Sequence, residues 1–230
     1  MKVLEPRSNR IAAVDPPGRL RERMSKTPLP SLFESNRGMI LDSVAALGIQ
    51  RKNRILELGP GNGAHLYLLL QQASELKYFG LDISERMIAE AKRLNSSFLS
   101  SKSALFSYYD GKHIPYVQNL FDRILTVNTI YFWSAPEVFL NELHRVLKPG
   151  GKCVISFIEG NCMAKLPLVD NSFTLYDIPK FIRLVSATPF KNIDVQTRSE
   201  RVKSESEGEV VRDFLVVTLQ KAKKKPRIES

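Results

Sequence analysis

The segment Gly59-Pro60-Gly61-Asn62-Gly63, between an apolar run and an amphipathic run, has the residue types to bind a ligand. Glycines permit positive φ and close backbone approach, and the start of the next helix offers unpaired N–H groups. Asp82 follows nineteen residues after Gly63, where a carboxylate can accept hydrogen bonds from both ribose hydroxyls. Asp110-Gly111 is placed to meet an adenine edge. Their order, one at the end of each successive strand, predicts an adenosine-bearing cofactor.

Two other interpretations of the same residues stay open. Taken singly, they are a tight strand-to-helix turn, a helix-capping acid and an Asp-Gly turn pair. Gly59-x-Gly61-x-x-Ala64 also fits the looser dinucleotide fingerprint, with Asp82 at the expected offset. An NAD(P)-dependent oxidoreductase is therefore an alternative that the residues alone do not exclude.

Strand-like and helix-like segments alternate along the chain at the spacing of right-handed βαβ units. The predicted strands are 53–58, 78–82, 104–109, 121–127, 153–157, 192–197 and 210–219, and the predicted helices are 32–47, 64–74, 85–95, one opening at Ser134 and Pro136, and 178–186. The last two strands are joined by a polar Ser/Glu-rich loop. The pattern predicts an α/β, Rossmann-like fold: a seven-stranded, mostly parallel sheet with an antiparallel C-terminal hairpin and helices on both faces.

The net charge of +10 is concentrated at the two ends of the chain. Residues 1–27 carry +4 and residues 221–230 carry +4, which leaves +2 for the body. We therefore expect a basic Pro/Arg-rich extension over 1–30, one domain over 31–220 and a basic tail over 221–230. The ends can be solvated segments or electrostatic contacts to nucleic acid, so an RNA-associated, non-catalytic module of this fold is a further alternative.

Composition argues against several other classes of protein, namely membrane-spanning, secreted, disulfide-rich and zinc-binding ones. No apolar run reaches the roughly 18 residues of a membrane helix, and the first 27 residues lack a signal-peptide pattern. Two cysteines are too few for a disulfide framework or a zinc cluster, and the three histidines lack a ligand motif. We expect a cytoplasmic protein with no metal centre.

Five ordered motifs in this chain resemble those of class I S-adenosylmethionine-dependent methyltransferases. They are ILELGPGNG (55–63), GLDISERMIAEAKRL (80–94), SYYDGKHIPY (107–116), FDRILTVNTIYFW (121–133) and LHRVLKPGGKCVISF (143–157). The resemblance is greatest to the small-molecule branch that includes the ubiquinone- and menaquinone-type enzymes. It implies S-adenosylmethionine as cofactor and methyl transfer by in-line displacement to a small-molecule acceptor.

At the methionine end of that cofactor, the resemblance assigns four residues. Glu57, Gly59 and Gly61 contact or orient the methionine part. Asn128, just past the fourth strand, lies near the methionine amino group or the methyl. Acidic residues in these motifs suit this cofactor, because its sulfonium and amino groups both carry positive charge.

At the adenosine end, the resemblance implies that Asp82 holds the ribose, with Ile83 and Met87 packing near the adenine. Asp110-Gly111 meets the adenine amino edge. Tyr109 departs from the family pattern, in which glycine is common, and it either crowds the adenine or stacks on it.

Candidates for a catalytic base stand after the third and fourth strands. His113 has a suitable ordinary pKa of about 6.5, although a solvated loop histidine is an alternative. Tyr131 is the second candidate. Together with Phe132 and Trp133 it can face the sulfonium, form the wall of an apolar acceptor pocket, or close the core beneath a loop.

Overall fold

A seven-stranded sheet with strand order β3-β2-β1-β4-β5-β7-β6 forms the centre of the molecule. The computed structural model describes residues 36–165, 169, 173–204 and 208–223. In chain order the elements are α1 (Arg37–Leu47), β1 (Arg54–Leu58), α2 (Leu66–Leu70), β2 (Lys77–Asp82), α3 (Glu85–Leu94), α4 (Ser96–Ser100), β3 (Ala104–Tyr108), β4 (Phe121–Val127), α5 (Pro136–Val146), β5 (Leu147–Ile158), α6 (Gly160–Met163), α7 (Ile178–Ser186), β6 (Lys191–Ser204) and β7 (Gly208–Gln220).

The first five strands in the order are parallel, and β7 and β6 close the sheet with antiparallel pairing. Every residue of β5 from 153 to 158 is buried. Successive side chains of a strand point to opposite faces, so continuous burial requires that both faces be covered. The predicted α/β fold, with its mixed seven-stranded sheet, is therefore confirmed.

Several predicted elements match the structure closely. β4 and α7 have the predicted bounds. The Ser84 hydroxyl accepts a hydrogen bond from Met87 N–H and caps α3, and Asp177 caps α7 in the same way. Each of these elements combines an apolar run with a capping residue, which is the strongest local signal a sequence carries.

Other predictions were wrong in extent. α2 ends at Leu70 instead of residue 74, and in the mainly polar segment 71–74 only Ala73 packs, in part, against the core. Most of the expected polar loop between the last strands is strand, since β6 continues to Ser204. In that strand Glu200 lies directly opposite Arg212 of β7, and opposite charges across a strand pair favour pairing. α5 begins at Pro136 without a side-chain cap from Ser134.

The two ends of the chain fall mainly outside the described residues. These include the whole expected extension 1–30, the start of the helix predicted from 32, and residues 224–230. Lys221, the first residue of the expected tail, donates to Asn119 Oδ1 at 2.9 Å and to the His144 carbonyl at 2.7 Å. That residue therefore belongs to the folded part. No helix in the described ranges combines the length and apolar character needed to cross a bilayer.

Candidate functional site

The glycine turn after β1 has the backbone conformation that the sequence predicts. Gly59, Gly61 and Gly63 have φ values of +70°, +56° and +62°, a region that side chains with a Cβ disfavour. The Gly59 N–H donates to the Leu81 carbonyl at 2.8 Å, which fixes the turn against the end of β2. A Cβ at Gly59 would lie 2.5 Å from Thr129 Cγ2, after β4.

Gly61 faces open space. A Cβ built there would meet no atom of the described residues within 4 Å, its chain neighbours aside. The protein's own packing therefore does not explain why this position is glycine, since a larger side chain would not clash there at its Cβ. The open space beside Gly61 leaves room for a bound molecule, as the implied cofactor requires.

Asp82 lies directly beside this opening. Its Oδ2 accepts the Gly61 N–H at 3.1 Å, and its Oδ1 accepts the Ser84 N–H at 2.9 Å. Burial raises the pKa of Asp82 to about 6, against the opposing effect of these N–H donors. A carboxylate has about four lone-pair sites, and the N–H groups of Gly61, Ser84 and Ile83 occupy three of them. The carboxylate can therefore accept one further donor, such as a ribose hydroxyl.

The predicted adenine side comes together next to Asp82. The Tyr109 N–H donates to the Asp82 carbonyl at 3.1 Å, and a Cβ at Gly111 would lie 3.1 Å from Ile83 Cγ2. Met87 is buried beneath, on α3. The strand-end residues 82, 83 and 111 therefore lie side by side at one edge of the sheet.

Asp110 and His113 form a small turn at the edge of that crevice. Asp110 Oδ1 accepts the N–H groups of Lys112 and His113 at 2.8 and 2.7 Å, and its Oδ2 lies 3.2 Å from His113 Nδ1. Burial alone would raise the pKa of Asp110, but these donors lower it below its ordinary value. The His113 side chain is 76% exposed, which matches the solvated-loop alternative. A cavity of about 450 Å³ opens beside Gly111, with Trp133 and Phe139 in its wall.

Glu57 lies beneath the glycine turn, where it is buried and two protein side chains donate to it. His65 Nε2 donates to Oε1 at 2.7 Å, and the Tyr78 hydroxyl donates to Oε2 at 2.6 Å. Burial lowers the pKa of His65, but the charge of Glu57 and the hydrogen bond to it raise that pKa by more. This geometry favours the orienting role for Glu57 over direct contact. Tyr78 reaches it across Gly80, whose Cβ would lie 3.1 Å from the Tyr78 ring.

Asn128 follows β4 with φ +57°. Its Nδ2 donates to Asn36 Oδ1 at 2.9 Å, and its Oδ1 accepts the Tyr131 hydroxyl at 3.1 Å. The Tyr131 hydroxyl also accepts the Ile158 N–H at 2.6 Å. Burial raises the pKa of Tyr131 far above its ordinary value. The raised pKa and the two protein contacts of the hydroxyl suit a residue that supports the structure better than a catalytic base. Tyr131 and Trp133 are both buried in the core.

Some residues of the site carry no local sequence signal. Asn36, His65, Tyr78 and Thr129 reach it from four different segments of the chain. His65 is buried and directly precedes α2. A strand-register argument could have paired Tyr78 with Glu57, since Glu57 lies opposite Gly80.

Sequence comparison gives methyltransferases as relatives. A methyltransferase domain family matches residues 56–155. An uncharacterised methyltransferase, YdaC of Bacillus subtilis, is 27% identical over 157 residues, which is 68% of this chain and 82% of that protein. A fatty-acid O-methyltransferase of Mycolicibacterium smegmatis is 28% identical over 166 residues, 71% of this chain and 54% of that protein. The quinone-type branch is one of several among the relatives.

Structural comparison gives the same fold. Phosphoethanolamine N-methyltransferase 2 of Haemonchus contortus, solved with S-adenosylhomocysteine and phosphomonomethylethanolamine, superposes with a TM-score of 0.70. The match covers 88% of this chain and 59% of that one at 14% identity, which establishes likeness of fold. The matched domain over residues 56–155, the methyltransferase relatives and the ordered motifs at the strand ends together support a class I S-adenosylmethionine-dependent methyltransferase.

Proposed function

We propose that the crevice along residues 59–61, 82–83, 110–111 and 128 binds S-adenosylmethionine, and that the protein transfers its methyl group to a small-molecule acceptor. The single observation that carries the proposal is the open space over Gly61 beside the Asp82 carboxylate. When bound, this cofactor supplies an electrophilic methyl group and a neutral leaving group. The glycine turn, Asp82 and residues 110–111 would then all contact the same ligand.

The protein's own groups would contribute alignment and exclusion of water. Gly59 and Gly61 allow close backbone approach, and Asp82 offers a carboxylate for the ribose. Asn128 keeps a second amide hydrogen and a second lone pair for a ligand after its two protein contacts. Holding reactants in a fixed geometry can account for several kcal/mol of a barrier. His113 stays the candidate base, since it lines the same cavity as Gly111.

The binding step is tested by calorimetry with S-adenosylhomocysteine and with NAD(P) on the same preparation. We expect heat of binding with S-adenosylhomocysteine only. Binding of the dinucleotide alone would make the oxidoreductase the better interpretation. The transfer step is tested by a screen of small apolar and amphipathic metabolites for release of S-adenosylhomocysteine.

Asp82→Ala is expected to weaken S-adenosylhomocysteine binding by at least about tenfold, because a hydrogen bond to a charged group contributes roughly 1.5–3 kcal/mol. Asp122→Ala is the matched control. Asp122 also accepts a backbone N–H, from Arg54 at 2.8 Å, but at the opposite end of the sheet. Calorimetry on both variants checks the prediction. An unaltered affinity in Asp82→Ala contradicts the ribose contact.

Affinity for S-adenosylhomocysteine is expected to fall about tenfold between pH 7 and pH 5. The ionised carboxylate is the better acceptor for ribose hydroxyls, and the pKa of Asp82 is raised to about 6. Since the pKa in the folded protein exceeds that in the unfolded chain, this group makes the ligand-free protein more stable, not less, as the pH falls through 6. Asp82→Asn removes the titrating group, so its affinity should be flat across this range. A parallel pH profile in both proteins assigns the effect elsewhere.

A further inference from the structure

A chain of polar side chains connects the C-terminal hairpin to Asn128. We call Asn36, Asn128, Tyr131, Glu200 and Arg212 the Asn128 network. They come from the start of α1, the segment after β4, and the facing strands β6 and β7. None belongs to the glycine turn or to the Asp82 side of the crevice.

The Glu200–Arg212 ion pair anchors the network. The two side chains are each only 11% exposed, and they lie directly opposite each other in the hairpin. Arg212 Nε donates to Glu200 Oε1 at 3.1 Å, and Glu200 Oε2 accepts the Met39 N–H at 3.3 Å. Since α1 leaves its first N–H groups without partners inside the helix, Glu200 ties the hairpin to the start of α1.

Arg212 is connected to Asn128 through one shared acceptor atom, Asn36 Oδ1. Its Nη2 donates to Asn36 Oδ1 at 3.4 Å, and the same oxygen accepts Asn128 Nδ2 at 2.9 Å. Tyr131 holds the other end of the Asn128 amide, and the charge of Arg212 also acts on Tyr131. The amide is therefore fixed in orientation, with Oδ1 toward Tyr131 and Nδ2 toward Asn36.

We infer that Arg212 and Asn36 are positioning residues that orient the Asn128 amide toward the amino-acid end of the cofactor. The inference rests on the proposed function, because it needs Asn128 to lie near the methionine group. It adds the prediction that the hairpin, far from residues 59–111 in sequence, controls one end of the ligand. Binding of the adenosine end does not depend on the network.

Two nucleoside probes separate the ends of the ligand. S-adenosylhomocysteine has the amino-acid end, whereas methylthioadenosine lacks it and keeps the adenosine and the sulfur. For Arg212→Met we expect about tenfold weaker binding of S-adenosylhomocysteine by calorimetry, with methylthioadenosine affinity within about twofold of the natural chain. Arg198→Met, an exposed arginine on the same hairpin that lies 3.8 Å from Asp42, is the matched control and should leave both affinities unchanged.

Asn36→Ala is the second variant, because Arg212→Met leaves Glu200 buried without its ion-pair partner. It removes the link and keeps the Glu200–Arg212 pair, and it should give the same selective loss. In an Asn128→Ala background, Asn36→Ala should have no further effect on S-adenosylhomocysteine.

Equal loss of both probes in Asn36→Ala would show a merely structural role, and no loss of either would show that the link does not matter; each result overturns the inference. If the natural chain binds neither probe, the proposed function itself fails. That outcome is visible before any variant is made.

Discussion

Gly61→Val is expected to weaken S-adenosylhomocysteine binding by at least about 100-fold, which corresponds to about 2.7 kcal/mol. The natural residue has φ +56° and faces open space. A valine side chain would occupy the space proposed for the ligand, and its Cβ would lie more than 4 Å from the described atoms beyond its chain neighbours. The measurement is calorimetric titration, with circular dichroism to confirm that the variant folds.

Gly48→Val is the matched control for this substitution. Gly48 has the same φ of +56°, and a Cβ there meets only the flexible end of Lys152 at 3.5 Å. Both variants therefore pay a similar backbone cost of about 1–2 kcal/mol, but Gly48 ends α1, away from the glycine turn. We expect Gly48→Val to lose stability and keep the ligand. Normal binding by Gly61→Val would mean that the loop does not touch the cofactor.

His65→Ala is expected to lower the free energy of unfolding by about 3–5 kcal/mol, the cost of removing one partner from a buried ion pair. His65 and Glu57 are both buried, and 2.7 Å separates Nε2 from Oε1. Loss of the imidazole leaves the carboxylate with Tyr78 as its remaining side-chain donor among the described residues. Urea unfolding followed by fluorescence or circular dichroism gives the difference directly.

A double-mutant cycle shows whether that cost comes from the charge of Glu57. In a Glu57→Gln background, His65→Ala should cost clearly less, because no charge is left buried. The pH dependence gives a second check. The pKa of His65 is raised in the folded protein, so its stabilising contribution is full below the unfolded value of about 6.5 and is lost as the pH rises through the folded value. Equal costs in both backgrounds would contradict the ion-pair explanation.

The local elements were largely predictable. β4 and α7 match their predicted bounds because apolar residues and capping side chains act within a few neighbouring positions. The hairpin was predicted too short, because the strand pairing beyond residue 197 is made across the sheet. No local hydrophobic pattern marks Glu200 as a strand residue, whereas Arg212 lies within the predicted strand 210–219.

The sequence by itself determined the order of the strand-end residues, and hence that Gly61, Asp82 and Gly111 would meet at one edge of a parallel sheet. Their order follows from βα alternation, which each segment encodes locally. Only the tertiary structure decided which distant groups contact Asn128, after β4. Asn36 reaches Asn128 across 92 positions and Arg212 reaches Asn36 across 176. Such contacts depend on how helices and strands pack, so no short segment of the chain specifies them.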